Sequence, residues 1–313
     1  MRHIPVLLEE TINGLNINPN GIYVDATLGR GGHSSQILKS LSNDKGYLYC
    51  FDQDEQAIIE SKSRLLEISN NFTIIHDNFE NLEVRLSELG VKEIDGIMFD
   101  LGVSSAQFDD ADRGFSYRFD AKLDMRMNKN THLTAEIVVN TYSLADLAKM
   151  FKEYGEEPFA YNIAKQIVKE RQIKPISTTF ELVDVIKRAL PSKVLNKKGH
   201  PAKQSFQAIR IEVNNELEVL KNGLRQACTL LKPGGRVAVI TFHSLEDRIV
   251  KNIFKELTDV GEGSRYLPVE QVDPDYRLVN RKPILPSEKE LFENSRSHSA
   301  KLRIIERRKD HER

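Results

Sequence analysis

The stretch Ile22-Tyr-Val-Asp-Ala-Thr-Leu-Gly-Arg-Gly-Gly-His-Ser34 decides how the chain is read. An apolar run that ends in Asp25 and breaks into a glycine-rich turn predicts a buried strand, Ile22 to Thr27, handing over to a helix from Ser34 to Leu41. The alternation repeats outward from there. Strands are expected at Tyr47 to Asp52, Phe72 to His76 and Ile94 to Leu101, with helices near Asp54 to Ile68 and Glu80 to Leu89 between them. Strand, loop and helix recurring every ~25 residues is the pattern of right-handed crossovers in a parallel sheet. The fold class this predicts is α/β, a Rossmann-like doubly wound sheet.

The pattern then stops. From about Ser104 to Val213 the periodicity is helical, at Leu133 to Tyr154, Pro158 to Glu170 and Thr178 to Leu190, with no buried strand. After Asn214 it resumes with a helix from Glu216 to Leu231, a Lys232-Pro-Gly-Gly turn, a strand from Arg236 to Phe242, a helix from Leu245 to Leu257 and a last strand at Lys301 to Glu306. The expected architecture is one discontinuous α/β domain, residues 1–104 and 214–313, split by an inserted all-helical domain over 105–213.

The 313 residues carry 45 Lys and Arg against 46 Asp and Glu, a formal net charge of −1, which excludes a uniformly basic nucleic-acid coat. The distribution is uneven: residues 1 to 110 hold 8 basic and 18 acidic side chains, so the excess of base lies in the remainder. The two parts are expected to meet different partners. Two cysteines, Cys50 and Cys228, give neither a disulfide framework nor a zinc cluster, and no metal is expected. Apolar runs such as Val237 to Phe242 fall far short of the ~20 residues that span a bilayer, and Glu9 and Glu10 sit where a signal peptide needs apolar residues. A cytoplasmic location without membrane contact follows as the expectation.

Several motifs carry chemistry. Glycines in a turn after a strand let backbone approach a ligand. A dinucleotide fingerprint requires Gly-x-Gly-x-x-Gly, whereas Gly29 and Gly31 are followed at once by Gly32. With Asp25 four positions before Gly29, the loop resembles the Asp/Glu-x-Gly-x-Gly-x-Gly turn of S-adenosylmethionine-dependent methyltransferases, with Thr27 where the first glycine would stand. The second strand ends in Asp52-Gln-Asp54: Asp52 suits the vicinal hydroxyls of a ribose, and Asp54 suits the cap of the next helix. Phe79, after the third strand, either covers an adenine or fills core. The fourth strand ends in Asp100-Leu-Gly-Val-Ser-Ser-Ala-Gln107 and lacks the Asp-Pro-Pro-Tyr of ordinary DNA amino-methylases.

The ordered set His3-Ile-Pro-Val-Leu-Leu-Glu9, Gly29 to Ser34, Asp100 to Ser105, Arg113-Gly-Phe-Ser116, Leu123-Asp-Met-Arg-Met127, His200-Pro-Ala202, Phe206 to Arg210 and Phe242-His-Ser-Leu-Glu-Asp-Arg248 closely resembles the RsmH (MraW) family. That is the family of bacterial 16S ribosomal RNA (cytosine-N4)-methyltransferases, and the likeness covers nearly the whole chain. The resemblance implies a class I methyltransferase domain with a helical, substrate-recognising insertion, acting on N4 of one cytidine in the decoding region of the small subunit. It implies S-adenosyl-L-methionine as cofactor, with contacts at Gly31, Gly32, His33, Asp52, Phe79, Asp100 and Gln107, and 16S rRNA within the 30S subunit as partner, not DNA. A homodimer is compatible with it. Ala106, Phe108 and Ala121-Lys122 depart from the usual family residues.

Methyl transfer needs in-line positioning, and cytosine N4 is a weak nucleophile that benefits from a hydrogen-bond acceptor. Asp124 and His243 are the candidate catalytic residues, with a structural role for His243 equally open. Ser244 with Asp247 reads as a helix cap rather than part of a hydrolase triad. Asp25 either lies beside the methionine amino group or caps the glycine turn. Lys187, Arg188, Lys193, Lys197, Lys198 and Lys203, with no acid from Val185 to Ser205, and seven basic residues from Arg296 to Arg313 are expected to face RNA phosphates. Two other functions stay in play: a nicotinamide dehydrogenase, disfavoured by the glycine spacing, and a non-catalytic ribosome-binding protein with a relic nucleotide pocket.

Overall fold

A computed structural model describes residues 5–42, 44–103, 107–108, 110–259 and 274–309. The chain divides into two compact units, Met1–Gly102 with Leu217–Arg313, and Val103–Glu216.

The first unit opens with helix α1 (Leu8–Leu15) and then alternates β1 (Ile22–Asp25), α2 (Gly32–Ser40), β2 (Tyr47–Asp52), α3 (Glu55–Leu66), β3 (Phe72–His76), α4 (Leu82–Glu88) and β4 (Ile94–Asp100). β4 is buried almost without interruption, as a central parallel strand covered on both faces must be. The expected cap at α3 is present: the Asp54 side chain accepts from the Gln56 N–H.

The second unit is built from α5 (Ala135–Thr141), α6 (Leu144–Gly155), α7 (Ala160–Arg171), α8 (Thr179–Ala189), the single turn α9 (Ser192–Leu195) and α10 (Lys203–Asn214). The expected long helix over Leu133 to Tyr154 is in fact two. The Ser143 side chain accepts the Asp146 N–H and starts α6 anew, so the Ser-x-x-Asp signature marks a restart inside one apolar periodicity. The helices enclose a core of their own that includes Met150, Phe151, Ile163, Ile186 and Ile209.

The chain then returns through α11 (Glu216–Thr229), β5 (Leu231–Thr241), α12 (Ser244–Thr258), β6 (Tyr276–Leu278), α13 (Glu288–Glu293) and β7 (Lys301–Arg307). The Lys232-Pro-Gly-Gly segment lies inside β5 rather than before it, where the register against β4 shifts between Ile94 and Gly96. Strand order is β3-β2-β1-β4-β5-β7-β6, with β7 antiparallel to both neighbours. Two apolar layers flank the sheet. One is formed with Val24, Phe99, Leu224 and Phe254, the other with Leu7, Ile37, Leu48 and Ile240. Order reverses at β1, so the crevice of this open sheet lies beyond the carboxyl ends of β1 and β4. Among the described residues no helix is long and apolar enough to cross a membrane.

Candidate active site

Three neighbouring parallel strands end in aspartate at the carboxyl edge of the sheet: Asp25 on β1, Asp52 on β2 and Asp100 on β4. Each has a distinct environment. Asp25 is 1% exposed and is held by the Ser34 hydroxyl at 2.5 Å and the Thr27 N–H at 3.0 Å. Burial pushes its carboxyl upward, against the pull of those hydrogen bonds. Its observed contacts are those of a turn cap.

Asp52 receives the Gly29 N–H on one oxygen (2.8 Å) and the Asp54 N–H on the other (2.9 Å). Burial raises its carboxyl to about 6, the two hydrogen bonds resisting and the charges of Asp54 and Asp25 assisting. Each oxygen keeps a further lone pair, which is what two ribose hydroxyls need. Asp100 is raised further, to about 8, by burial first and then by the charges of Asp25 and Glu246. Among the described residues its Oδ1 is buried without a hydrogen-bond partner, and His33 Nδ1 stands 3.7 Å from Oδ2. An orphaned acceptor among carboxylates is a site for a cation or a strong donor.

The glycine loop explains its own sequence. Gly31 caps α2 in the left-handed region, at φ 69°, and a side chain on Gly32 would place its Cβ 2.4 Å from the Pro5 ring. Thr27, where the methyltransferase pattern has glycine, uses its hydroxyl to accept the Asp100 N–H at 2.7 Å, tying the β1 turn to the end of β4. His33 is buried in the first turn of α2, with Nε2 3.0 Å from the Val6 carbonyl. Phe79 packs edge-on against Phe99, ring centroids 5.3 Å apart, and against Gly223 of α11. It joins the core and stays half-buried beside the ends of β3 and β4.

His243 heads α12 and corrects the expected cap. The helix begins at Ser244, so His243, not Ser244, is the capping residue, and its partner three residues on is Glu246, not Asp247. The reason is a one-residue shift of the helix start, which leaves Asp247 to pair with Arg303 (2.7 Å) and Lys301 (3.3 Å) of β7. Nδ1 of His243 accepts the Glu246 N–H at 3.5 Å, while Nε2 lies 3.0 Å from Glu246 Oε1 but misaligned for a hydrogen bond. Glu246 also receives the backbone N–H groups of Phe242 and His243. Sequence reasoning passed over Glu246, although its spacing from His243 is that of a capping box.

In the helical unit the quoted motifs converge. The Arg113 guanidinium donates to the carbonyls of Arg126 and Met127, and Asn214 bonds the backbone of Met125 and Met127. Asp124 therefore sits on a fixed loop, both oxygens held by Arg126 at 2.9 and 2.7 Å. Burial alone would raise its carboxyl, but the Arg126 hydrogen bonds and the charges of Arg126 and Arg113 outweigh it and the net shift is down. His200 stacks on Tyr117, centroids 4.1 Å apart and planes within 10°, and burial together with Lys187 and Arg118 depresses its imidazole. All six basic residues from Lys187 to Lys203 are exposed. The departure at Ala121-Lys122 leaves that loop paired to Ser177 and Thr179. Gln107 is buried in this unit; Ser104, Ser105 and Ala106 beside it lie outside the described residues, as do His3 and the end of the basic tail from Asp310.

The chain matches the model of the MraW methylase family over residues 1–308. It is 56% identical to the "Ribosomal RNA small subunit methyltransferase H" of Streptococcus mutans over 97% of each chain. Identity to the protein of the same name from Mesoplasma florum is 54%, over 98% of this chain and 99% of that one. The methyl donor of this family is S-adenosylmethionine. A sheet that ends in three carboxylates around a glycine turn, and a match that runs almost end to end, lead to one assignment: the chain belongs to the MraW methylase family.

Proposed function

We propose that this chain transfers the methyl group of S-adenosylmethionine to N4 of one cytidine in the decoding region of 16S rRNA, on the 30S subunit in the bacterial cytoplasm, as a step in ribosome biogenesis. What carries the substrate is the near-full-length identity to a ribosomal RNA small subunit methyltransferase. The carboxylate edge supports the donor: Asp100 Oδ1, buried without a hydrogen-bond partner among the described residues, suits a cationic molecule.

When bound, S-adenosylmethionine supplies a methyl on a cationic sulfonium, so the protein's share is chiefly to position and desolvate. Asp52 takes the ribose hydroxyls on its remaining lone pairs. Phe79 lends a ring face to the adenine, and the backbone of Gly31 and Gly32, with His33, borders the donor. Asp100 accepts from its cationic end, and Gln107 is assigned to the same set. Asp124 holds the substrate amino group as an ionised acceptor; its lowered carboxyl makes it a better hydrogen-bond acceptor than proton base. His243 takes up a proton only by giving up its cap contact, since Nδ1 is the lone pair facing Glu246.

The exposed lysines of the helical unit and its Tyr117–His200 stack are assigned to the RNA: cations for phosphate, rings for an unstacked base. The base must leave its stack or be met in an open RNA state. The test offers S-adenosylmethionine and, separately, nicotinamide cofactors: thermal stabilisation by the former alone, followed by methylation of small subunits, is the expected result. Saturable donor binding without transfer would instead support the non-catalytic ribosome-binding reading.

A further inference from the structure

We infer that Glu290 is a positioning residue for the methyl-donor loop, acting through the Leu7 N–H on the Pro5–Val6 segment that holds His33 and covers Gly32. The inference rests on the donor reading above.

Four contacts within the sheet unit form the chain of action. Glu290, on α13, accepts the Leu7 N–H at 2.8 Å across 283 residues of sequence. Leu7 is fully buried and sits in the left-handed region, φ 51° and ψ 38°, which a leucine adopts only when its surroundings enforce it. Its carbonyl is equally committed, to the N–H and hydroxyl of Thr11 at 2.9 and 2.7 Å. With both backbone groups fixed, the direction of the preceding two residues is fixed as well.

Those two residues touch the donor loop twice. The Val6 carbonyl lies 3.0 Å from His33 Nε2. A carbonyl only accepts, so Nε2 carries the ring proton, and Nδ1 is thereby the nitrogen directed toward Asp100. The Pro5 ring rests so close to Gly32 that a Cβ there would come within 2.4 Å of it. One hydrogen bond from the far end of the chain thus sets both the tautomer of His33 and the seat of the loop. Glu290 touches neither donor nor substrate in this scheme; its effect reaches them through Leu7.

The test uses the full chain as wild type, Glu290→Ala and Glu290→Gln. Calorimetric titration with S-adenosylmethionine is paired with nitrogen-15 spectra of His33, and kcat is measured at saturating donor. Glu290→Ala is expected to raise the donor Kd and KM about tenfold, the scale of one lost charge-assisted hydrogen bond, with kcat little changed. The single Nε2-protonated signature of His33 should give way to a mixture of tautomers. Glu290→Gln keeps a carbonyl acceptor and should restore both. Equal donor affinity and an unaltered His33 spectrum in Glu290→Ala would overturn the inference. If wild type itself binds no donor, the donor reading fails instead, and the His33 spectra still decide the Glu290 relay. Should Glu290→Ala fail to fold, Pro5→Ala, at a half-buried position, tests the same segment: a raised Kd is expected, and an unchanged one would overturn the inference.

Discussion

Replacing Asp100 by asparagine removes one charge and keeps the shape, so it isolates what that charge does for donor binding. In the free protein the carboxyl titrates at about 8, through burial and the proximity of Asp25 and Glu246. Roughly one molecule in a hundred is therefore ionised at pH 6 and about half at pH 8. A cationic donor prefers the ionised form, by roughly 1.5–3 kcal/mol if the contact is a charge-assisted hydrogen bond. The contact also needs the ligand's α-amino group, which titrates near 8, to be still protonated. Weighting that preference by the fraction in which both conditions hold, the ratio of the variant's Kd to the wild-type Kd should grow about three- to sixteenfold between pH 6 and pH 8 and fall again above pH 8. The sign follows from linkage: the free protein carries the extra proton, binding expels it, and raising the pH removes that cost. The ratio is the quantity to read, because any effect of pH on the ligand or the fold that does not involve Asp100 is shared by both proteins. Equilibrium titrations at fixed ionic strength across this window supply it. A ratio that stays within twofold of constant would refute the assignment of Asp100 to the cationic end of the donor.

Asp52→Ala should weaken donor binding by about 1–3 kcal/mol, since it deletes the ribose acceptor and also strands the Gly29 and Asp54 N–H groups; calorimetry that returns an unchanged Kd argues against that role. Neutralising Lys197, Lys198 and Lys203 together should leave donor affinity alone while lowering RNA affinity and reducing its log–log salt slope by about 2, at ~0.7 per phosphate contact on single strands. Equal RNA affinity at matched salt would remove the basic face from the account. Gly223→Ala would set a Cβ 2.5 Å from Phe79 Cδ2 and 3.0 Å from its carbonyl, so denaturant melts should show about 1–3 kcal/mol lost, with weaker donor binding as Phe79 is displaced. Wild-type values for both would mean that Phe79 moves freely and does not define the adenine site.

Much of the sheet was legible because its signals are local. Tyr47–Asp52 and Phe72–His76 coincide with the expected spans, since apolar β-branched and aromatic runs bounded by turn residues have few other uses. The short β6, Tyr276–Leu278, was missed; two of its three residues are exposed and its place comes from pairing with β7, a long-range fact. The helix break at Ser143 was written in a capping signature but masked by continuous apolar periodicity. In the site, the Asp54 cap and the place of Asp52 at its strand end could be read from strand ends and cap chemistry alone. The electrostatics of Asp100 could not, because they depend on Asp25 and Glu246, 75 and 146 residues away in sequence. The same holds for Asp124, whose adjacency to Arg126 was visible while the Arg113 and Asn214 anchors that fix the loop were not. The cap at α12 went to the wrong pair because Ser and Asp are commoner capping residues than His.

The most direct test of the central claim is to supply methyl-labelled S-adenosylmethionine with small ribosomal subunits from cells that lack this methylation, alongside free RNA and DNA, and to map the label to a nucleotide and an atom. The account predicts label on N4 of a single cytidine in the decoding region of 16S rRNA. Label on another atom or another nucleic acid, or none despite saturable donor binding, would contradict it.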